Sequence, residues 1–166
     1  MWSVPKTTPP NIKKELSRLA TGFRAAIQRS AGNVPDVLKT KFKAFPKDMC
    51  EFASNLLGRY LKEEGIENVQ YVCGSRRTNG SPADLRHAWL EAYGFVIDIT
   101  ADQFPDGPGP AVVTEDLSWH SQFQVFERRD VADLHEYCKA ARKLYDDVFR
   151  EIIGSVSTSQ SGPASD

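Results

Sequence analysis

The stretch from Arg86 to Thr100, RHAWLEAYGFVIDIT, contains two short strand-like runs on either side of Gly94. Both runs are rich in aromatic and β-branched residues, and a glycine between such runs is a typical turn signal. The sequence therefore predicts an antiparallel hairpin with strands at 86–93 and 95–100. This hairpin limits which side chains can meet, because residues at equal distances from the turn lie opposite one another.

His87 lies near the open end of this predicted hairpin, together with two aspartates. Counting from the turn places it beside Asp98 or Ile99, or opposite residue 100 or 101, and a slip of a few residues also admits Asp102. A carboxylate there can hold one imidazole nitrogen and leave the other facing a thiol. A strand histidine and a strand-end aspartate can equally serve only local backbone groups.

The remaining elements place helices before and after the strands. Asn11 is an N-cap residue type at the start of an amphipathic helix that Gly32 ends, and Asp130 is expected to cap a long final helix. Weaker patterns predict a helix or turn at 35–42 and further strands at 68–73, 111–114 and 122–127. The predicted class is α+β.

A chain of 166 residues is close to the commonest size of one domain. The proline-rich segment 1–10 predicts a flexible leader, residues 11–153 one domain, and the low-complexity segment 154–166 a disordered tail.

Charge and cysteine usage exclude several function classes. Lys and Arg number 21 and Asp and Glu 22, so no strong field favours nucleic acid or an anionic membrane as a partner. The sequence contains no run of 18 apolar residues that would predict a membrane span, and it indicates no signal peptide. Three widely spaced cysteines without a CxxC pair predict neither a disulfide framework nor a zinc site. We therefore expect a cytoplasmic protein with no metal and no cofactor.

Cys50 has the most informative local position of the three cysteines. Asp48 followed by Glu51 three residues later is typical of a capping box, and Gly65 marks the helix end. With Asp48 as N-cap, Cys50 is the second helical residue, where free N–H groups and the helix dipole lower a thiol pKa and can bind an oxyanion. The alternative is a small buried side chain at a helix start.

Two segments, MCEFASNLLGRYLKEEGIENVQYVCGSR and RHAWLEAYGFVIDITADQF, together resemble the papain-like, transglutaminase-type cysteine fold. The resemblance covers residues 46–104 and is greatest to compact bacterial members, including the leader peptidases of lasso-peptide maturation. It implies a nucleophile helix packed on a small antiparallel sheet, with N-terminal and C-terminal helices around that core. It also implies Cys50 as nucleophile, His87 as general base and acid, and Asp98 as the residue that orients His87. Calcium-binding loops have no counterpart, so the resemblance does not imply calcium dependence.

The expected function is a cysteine-dependent amide hydrolase or acyltransferase that acts on a peptide or protein through a thioester. A peptidase, a glutamine deamidase and a transglutaminase-like enzyme all satisfy this description, and hydrolysis is favoured because water needs no second substrate site. The alternatives are a non-catalytic binding or scaffold domain on the same fold, and a toxin or effector delivered into another cell. The substrate and the oligomeric state stay open.

Several other side chains have both a structural and a functional interpretation. Trp89 shares a strand face with His87 and Glu91, and either packs in the core or shields the imidazole and contacts substrate. Cys73 and Cys138 are expected to be buried packing thiols. His120 is expected to be a turn histidine, with a replacement base as the alternative.

The second oxyanion donor has no clear candidate in the sequence. Gln28 is distant, whereas Asp102 and Gln103 follow Asp98 closely and could add hydrogen bonds to the site. The pair at 76–77, RR, is expected to be a solvated part of a polar loop.

Overall fold

The computed structural model describes residues 7–80, 83–131 and 141–160. Within these residues the fold is α+β, as the sequence predicts. The helices and strands are α1 (Ile12–Arg29), α2 (Asp36–Lys43), α3 (Cys50–Glu63), β1 (Gln70–Arg76), β2 (Leu85–Ala92), β3 (Phe95–Asp98), β4 (Val112–Thr114), β5 (Gln124–Asp130) and α4 (Arg142–Gln160). One 3₁₀ turn, Ala101–Gln103, follows β3, and another, His120–Gln122, precedes β5.

The five strands form one antiparallel sheet in the order β4-β3-β2-β1-β5. The β2–β3 hairpin turns through Tyr93 and Gly94, whose φ angles of 52° and 83° are those of a type I′ turn. Its register pairs Ala92 with Phe95, so the predicted hairpin is confirmed. This two-residue turn fixes which residues of β2 face which residues of β3.

One face of the sheet packs against helices. The apolar side of α3 lies on β2, and Ser54 donates a 3.2 Å hydrogen bond to the carbonyl oxygen of Ala88 in that strand. The end of α3 follows the sequence prediction: Gly65 adopts a φ of 85°, and the Ile66 N–H bonds the Leu61 carbonyl at 2.9 Å. This Schellman arrangement satisfies the last helical carbonyls and stops the helix before β1.

The opposite face of the sheet is covered by a smaller aromatic cluster. Its buried members are Val72, Trp89, Val96, Ala101, Trp119 and Phe123, with Phe104 partly buried beside them. The rings of this cluster that lie outside the strands come from residues 104–123, part of the segment that connects β3 to β5. The sheet therefore has a helical layer on one side and a loop layer, rich in aromatic residues, on the other.

Arg76 does not lie in a solvated loop, so that expectation is wrong. Its side chain is only 10% exposed and forms a 2.7 Å ion pair with Asp106. The guanidinium lies 4.7 to 5.4 Å from the centroids of three rings in the aromatic cluster, a cation–π arrangement. Arg77, in contrast, has a side chain that is 93% exposed.

The C-terminal part of the chain differs from the sequence expectations. Asp130 is the last residue of β5, and the helix expected directly after it falls on residues 132–140, outside the described residues, while the described helix α4 spans Arg142–Gln160. This helix continues through Gln160, whereas the sequence predicts a disordered tail from Gly154. The extension has a physical cause, because Val156 is buried and prolongs the apolar stripe.

Residues 7–10 of the expected leader are exposed and form neither helix nor strand. None of the described helices has the length and apolar character needed to cross a membrane.

Candidate active site

The start of α3 differs from the predicted capping box. Asp48 adopts a left-handed φ of 55°, and the first helical hydrogen bond runs from the Ala53 N–H to the Met49 carbonyl at 2.8 Å. Met49 is therefore the N-cap, without a side-chain cap, and Cys50 is the first helical residue instead of the second. The Cys50 backbone N–H still belongs to the first turn, where the N–H groups have no partner within the helix.

Cys50 lies on the wall of a cavity of about 810 Å³. The residue is 8% exposed, and it is one of the residues that line this cavity. Aromatic and charged side chains share the lining, among them Glu51, Tyr71, Arg86, Gln103, Glu127 and Arg129. A cavity of this size and mixed polarity falls in the usual range for small-molecule and side-chain binding sites.

Burial raises the pKa of the Cys50 thiol to about 11, which contradicts the lowered pKa expected from its helix position. The charge of Glu51 acts in the same direction, whereas the Ala88 backbone and the Gln103 side chain favour the thiolate without offsetting burial. The expectation of a lowered pKa is wrong because it assumes a solvated helix start, whereas Cys50 is buried. Desolvation of a thiolate outweighs the field of one helix end.

His87 and Asp98 meet as the hairpin argument predicts. Continuing the β2–β3 register beyond Leu90 and Ile97 places His87 opposite Thr100, so Asp98 is its diagonal neighbour. The distance from His87 Nε2 to Asp98 Oδ2 is 2.6 Å, and both side chains are fully buried. The carboxylate of Asp102, the alternative partner, instead accepts two 2.8 Å hydrogen bonds from the guanidinium of Arg24 in α1.

Asp98 is ionised in this environment. Burial alone would raise the pKa of its carboxyl group, but the charge of His87 and hydrogen bonds from His120 and His87 hold that pKa well below its usual range. Its second oxygen, Oδ1, accepts a 2.9 Å hydrogen bond from the Thr100 N–H. A carboxylate with these partners is fixed in one orientation.

Gln103 links the two halves of the site. Its Nε2 lies 3.1 Å from the Thr100 carbonyl and 3.5 Å from Nδ1 of His87, and its amide also favours the Cys50 thiolate. The β2–β3 ladder ends at Leu90, so the β2 backbone near Ala88 is free to contact Cys50. No hydrogen bond joins Cys50 and His87 directly in the described structure.

His120 is the residue whose position the sequence did not foresee. Its Nε2 lies 2.8 Å from Asp98 Oδ2, the same oxygen that His87 contacts, and its side chain is 3% exposed. His120 comes from a 3₁₀ turn between β4 and β5, for which the sequence contains no periodic pattern. A signal existed in the neighbouring Trp119, an aromatic residue unusual for an exposed turn.

Aromatic rings enclose the His87 imidazole. Trp89 stacks on it at 5.8 Å between ring centroids, and the rings of Phe104, Trp119 and Phe123 lie within 5.5 Å. Trp89 is 2% exposed, packs on the imidazole and is not among the residues that line the cavity. The enclosure keeps water away from the His87–Asp98 hydrogen bond.

Two other candidate residues, Cys73 and Gln28, are not among the residues that line the cavity. Cys73 is buried as expected, with its thiol 3.8 Å from a carboxylate oxygen of Glu51, and it forms no disulfide. Gln28 is exposed on α1 and does not line the cavity. The prediction for Cys138 falls outside the described residues.

One group in the described chain could surround a metal ion: His87, Asp98 and His120 offer donor atoms that lie within 4.8 Å of one another. The two Nε2–Oδ2 distances, 2.6 and 2.8 Å, are hydrogen-bond distances. They are shorter than the separation of about 3.3 Å between ligands bonded at about 2.0 Å to a tetrahedral zinc ion. The geometry is that of a hydrogen-bonded array.

Comparisons with protein-family models, with curated proteins and with solved structures find no match to this chain. The family resemblance of residues 46–104 therefore stays a prediction, and the function has to be argued from the site itself.

Proposed function

We propose that this protein is a cysteine-dependent amide hydrolase or acyltransferase. Cys50 is the nucleophile, His87 the general base and acid, and Asp98 the residue that orients His87. The observation that carries the proposal is the 2.6 Å hydrogen bond from His87 Nε2 to Asp98, which leaves Nδ1 directed at Gln103, a contact of Cys50. The order of elements, a helix headed by cysteine and then strands with histidine and aspartate, is consistent with a papain-like core.

The proton positions follow from the donors and acceptors. Ionised Asp98 can only accept, so His87 donates its Nε2 proton, and in the neutral ring the lone pair then lies on Nδ1. That lone pair can take the thiol proton of Cys50, provided that the Gln103 amide releases Nδ1. The contact with Gln103 is long, 3.5 Å, and therefore weak.

The reaction then needs two transfers. Cys50 Sγ attacks the amide carbonyl carbon as its proton passes to His87 Nδ1, and the C–N bond breaks when His87 returns that proton to the leaving amine. The resulting thioester is cleaved by water, whose proton passes through His87 before the thiol is restored. The Cys50 backbone N–H and the released Gln103 amide are the donors available to the developing oxyanion.

The cavity lining supports a peptide or protein substrate. Carboxylates and guanidinium groups face the same space as aromatic rings, which suits a segment of polypeptide better than a purely apolar ligand. We favour water as the acceptor, because a hydrolase needs no second binding site for an amine.

The first experiment measures acyl transfer to Cys50. The purified protein is incubated with p-nitrophenyl acetate, quenched in acid and digested, and the acetylated peptides are identified by mass spectrometry. We expect acetyl-Cys50 with a burst of p-nitrophenolate, no burst in Cys50→Ala, and an unchanged burst in Cys73→Ala. In His87→Gln the burst rate should decrease by about 10²- to 10⁴-fold, the usual contribution of a general base.

The second experiment identifies the acceptor with casein as a generic amide substrate. Release of ammonia indicates a glutamine deamidase, new α-amino groups indicate a peptidase, and incorporation of an added primary amine indicates a transglutaminase. Acetylation of Cys50 at the same rate in His87→Gln and the unsubstituted protein would contradict the proposed roles. A complete absence of acyl-Cys50 would favour the non-catalytic binding domain instead.

A further inference from the structure

The carboxylate of Asp98 is shared by two histidines. His87 from β2 and His120 from the 3₁₀ turn before β5 approach the same oxygen, Oδ2, at 2.6 and 2.8 Å. The other oxygen is bonded by Thr100. All of these side chains are buried, so water does not compete for the hydrogen bonds.

The role of His120 in this array is that of a hydrogen-bond donor. An ionised carboxylate accepts only, so Nε2 of His120 must carry its proton, as Nε2 of His87 must. Two donors on one oxygen share its electron density. Each hydrogen bond therefore weakens the hydrogen bond between Asp98 and the other imidazole.

We propose that His120 is a positioning residue of the proposed Cys50–His87–Asp98 site, which limits the basicity of His87 by holding the Asp98 oxygen that both histidines contact. The inference rests on the proposed function for its catalytic consequence, but the hydrogen-bond array itself does not depend on that function. The consequence is that His120 tunes the pH at which His87 is available to take the thiol proton.

Other charged groups lie near His87. Arg76 lies against the rings that enclose the imidazole and is neutralised by its ion pair with Asp106, while Glu91 accepts a hydrogen bond from the Trp89 indole and forms an ion pair with Arg128. Cys50 contacts the same Gln103 amide. None of these groups bonds Asp98 directly, so His120 is the neighbour with the most direct influence on the His87–Asp98 pair.

Removing the donor has a defined expected effect. In His120→Leu, Asp98 keeps its charge but interacts with His87 alone, so protonated His87 is stabilised and its pKa increases. A hydrogen bond to a charged group corresponds to a shift of about one pKa unit or more. His120→Gln retains an N–H donor near the position of Nε2 and should keep the pKa of His87 within about 0.3 units of the unsubstituted value.

The test uses NMR of the full-length protein with ¹⁵N-labelled histidine rings, and His87→Gln assigns the His87 signals. The ring spectra report the tautomer and the pKa of His87 without any substrate. Ser121→Ala, an exposed neighbour of His120, is the control for non-specific effects, and thermal unfolding checks that each variant folds. If His120→Leu does not fold, His120→Asn replaces it, since its shorter amide does not reach Asp98.

An increase of about one unit in the non-donor variant, with no increase in His120→Gln, supports the proposal. Equal shifts in both variants, or no shift in either, would overturn it, because the donor would then be irrelevant. Stoichiometric Zn²⁺ binding that changes the ring signals of His87 and His120 together would also overturn it by making the array a metal site. The acetylation experiment separates this result from the proposed function: a shift without acyl-Cys50 retains the array and removes the enzyme.

Discussion

Alkylation of Cys50 tests how strongly burial controls the chemistry of the proposed nucleophile. The structure raises the pKa of this thiol from an ordinary 9.0 to about 11, mainly because the thiolate would be desolvated. At pH 7 the thiolate fraction decreases from about 10⁻² to about 10⁻⁴, because each pKa unit is a factor of ten. Iodoacetamide should therefore modify Cys50 about 100-fold more slowly in the folded protein than in urea.

The assay follows Cys50 alone by peptide mapping, at pH values from about 7 to 10. In the folded protein the logarithm of the rate should increase by about one for each pH unit without a plateau. The same peptide in urea provides the reference, and circular dichroism confirms folding at each pH. A rate that stays constant across this pH range would refute the reasoning, because it would mean that a thiolate–imidazolium pair already exists at rest.

Five further substitutions test the arrangement of the site and its support. Asp98→Asn should lower turnover by about 10⁴-fold by favouring the wrong imidazole tautomer, whereas Asp102→Asn should change turnover less than about threefold, as measured by acetyl transfer. Gly107→Ala places a Cβ against the backbone oxygen of Ala101 and should lower the free energy of unfolding in urea by about 1–3 kcal/mol. Gly22→Ala, with open space around it in α1, should raise that free energy by about 0.5–1 kcal/mol. A hydrogen bond from its arginine partner lowers the pKa of Asp106 to about 2, so its stabilising contribution is present above pH 4 and lost towards pH 2. Asp106→Asn should therefore flatten the acid limb of the stability curve, and an unchanged limb would argue against that ion pair.

Local features of the sequence were sufficient to predict the hairpin and its pair of titratable residues. Gly94 permits a two-residue turn, and the turn fixes the register that brings His87 to Asp98. The end of α3 at Gly65 was predictable for the same reason, since a residue with positive φ closes the helix. In each case the interacting groups are close in sequence.

Features that depend on distant segments could not be predicted in the same way. The raised pKa of Cys50 results from burial beneath other elements, and the hydrogen bond from His120 to Asp98 joins a loop to a strand that is separated from it by β4. The burial of Arg76 could not be predicted either, because the rings that cover it come from residues 104–123. Hydropathy and spacing contain no information on these long-range contacts.

The two-residue turn at Tyr93 and Gly94 also has a consequence for the order of folding. His87 and Asp98 are only 11 residues apart, so their contact closes a short loop, and isolated hairpins form in about 1–10 μs. Cys50 reaches the same site only when α3 docks on the sheet, a longer-range event that is slower. The contact between His87 and Asp98 can therefore form before α3 brings Cys50 to the sheet.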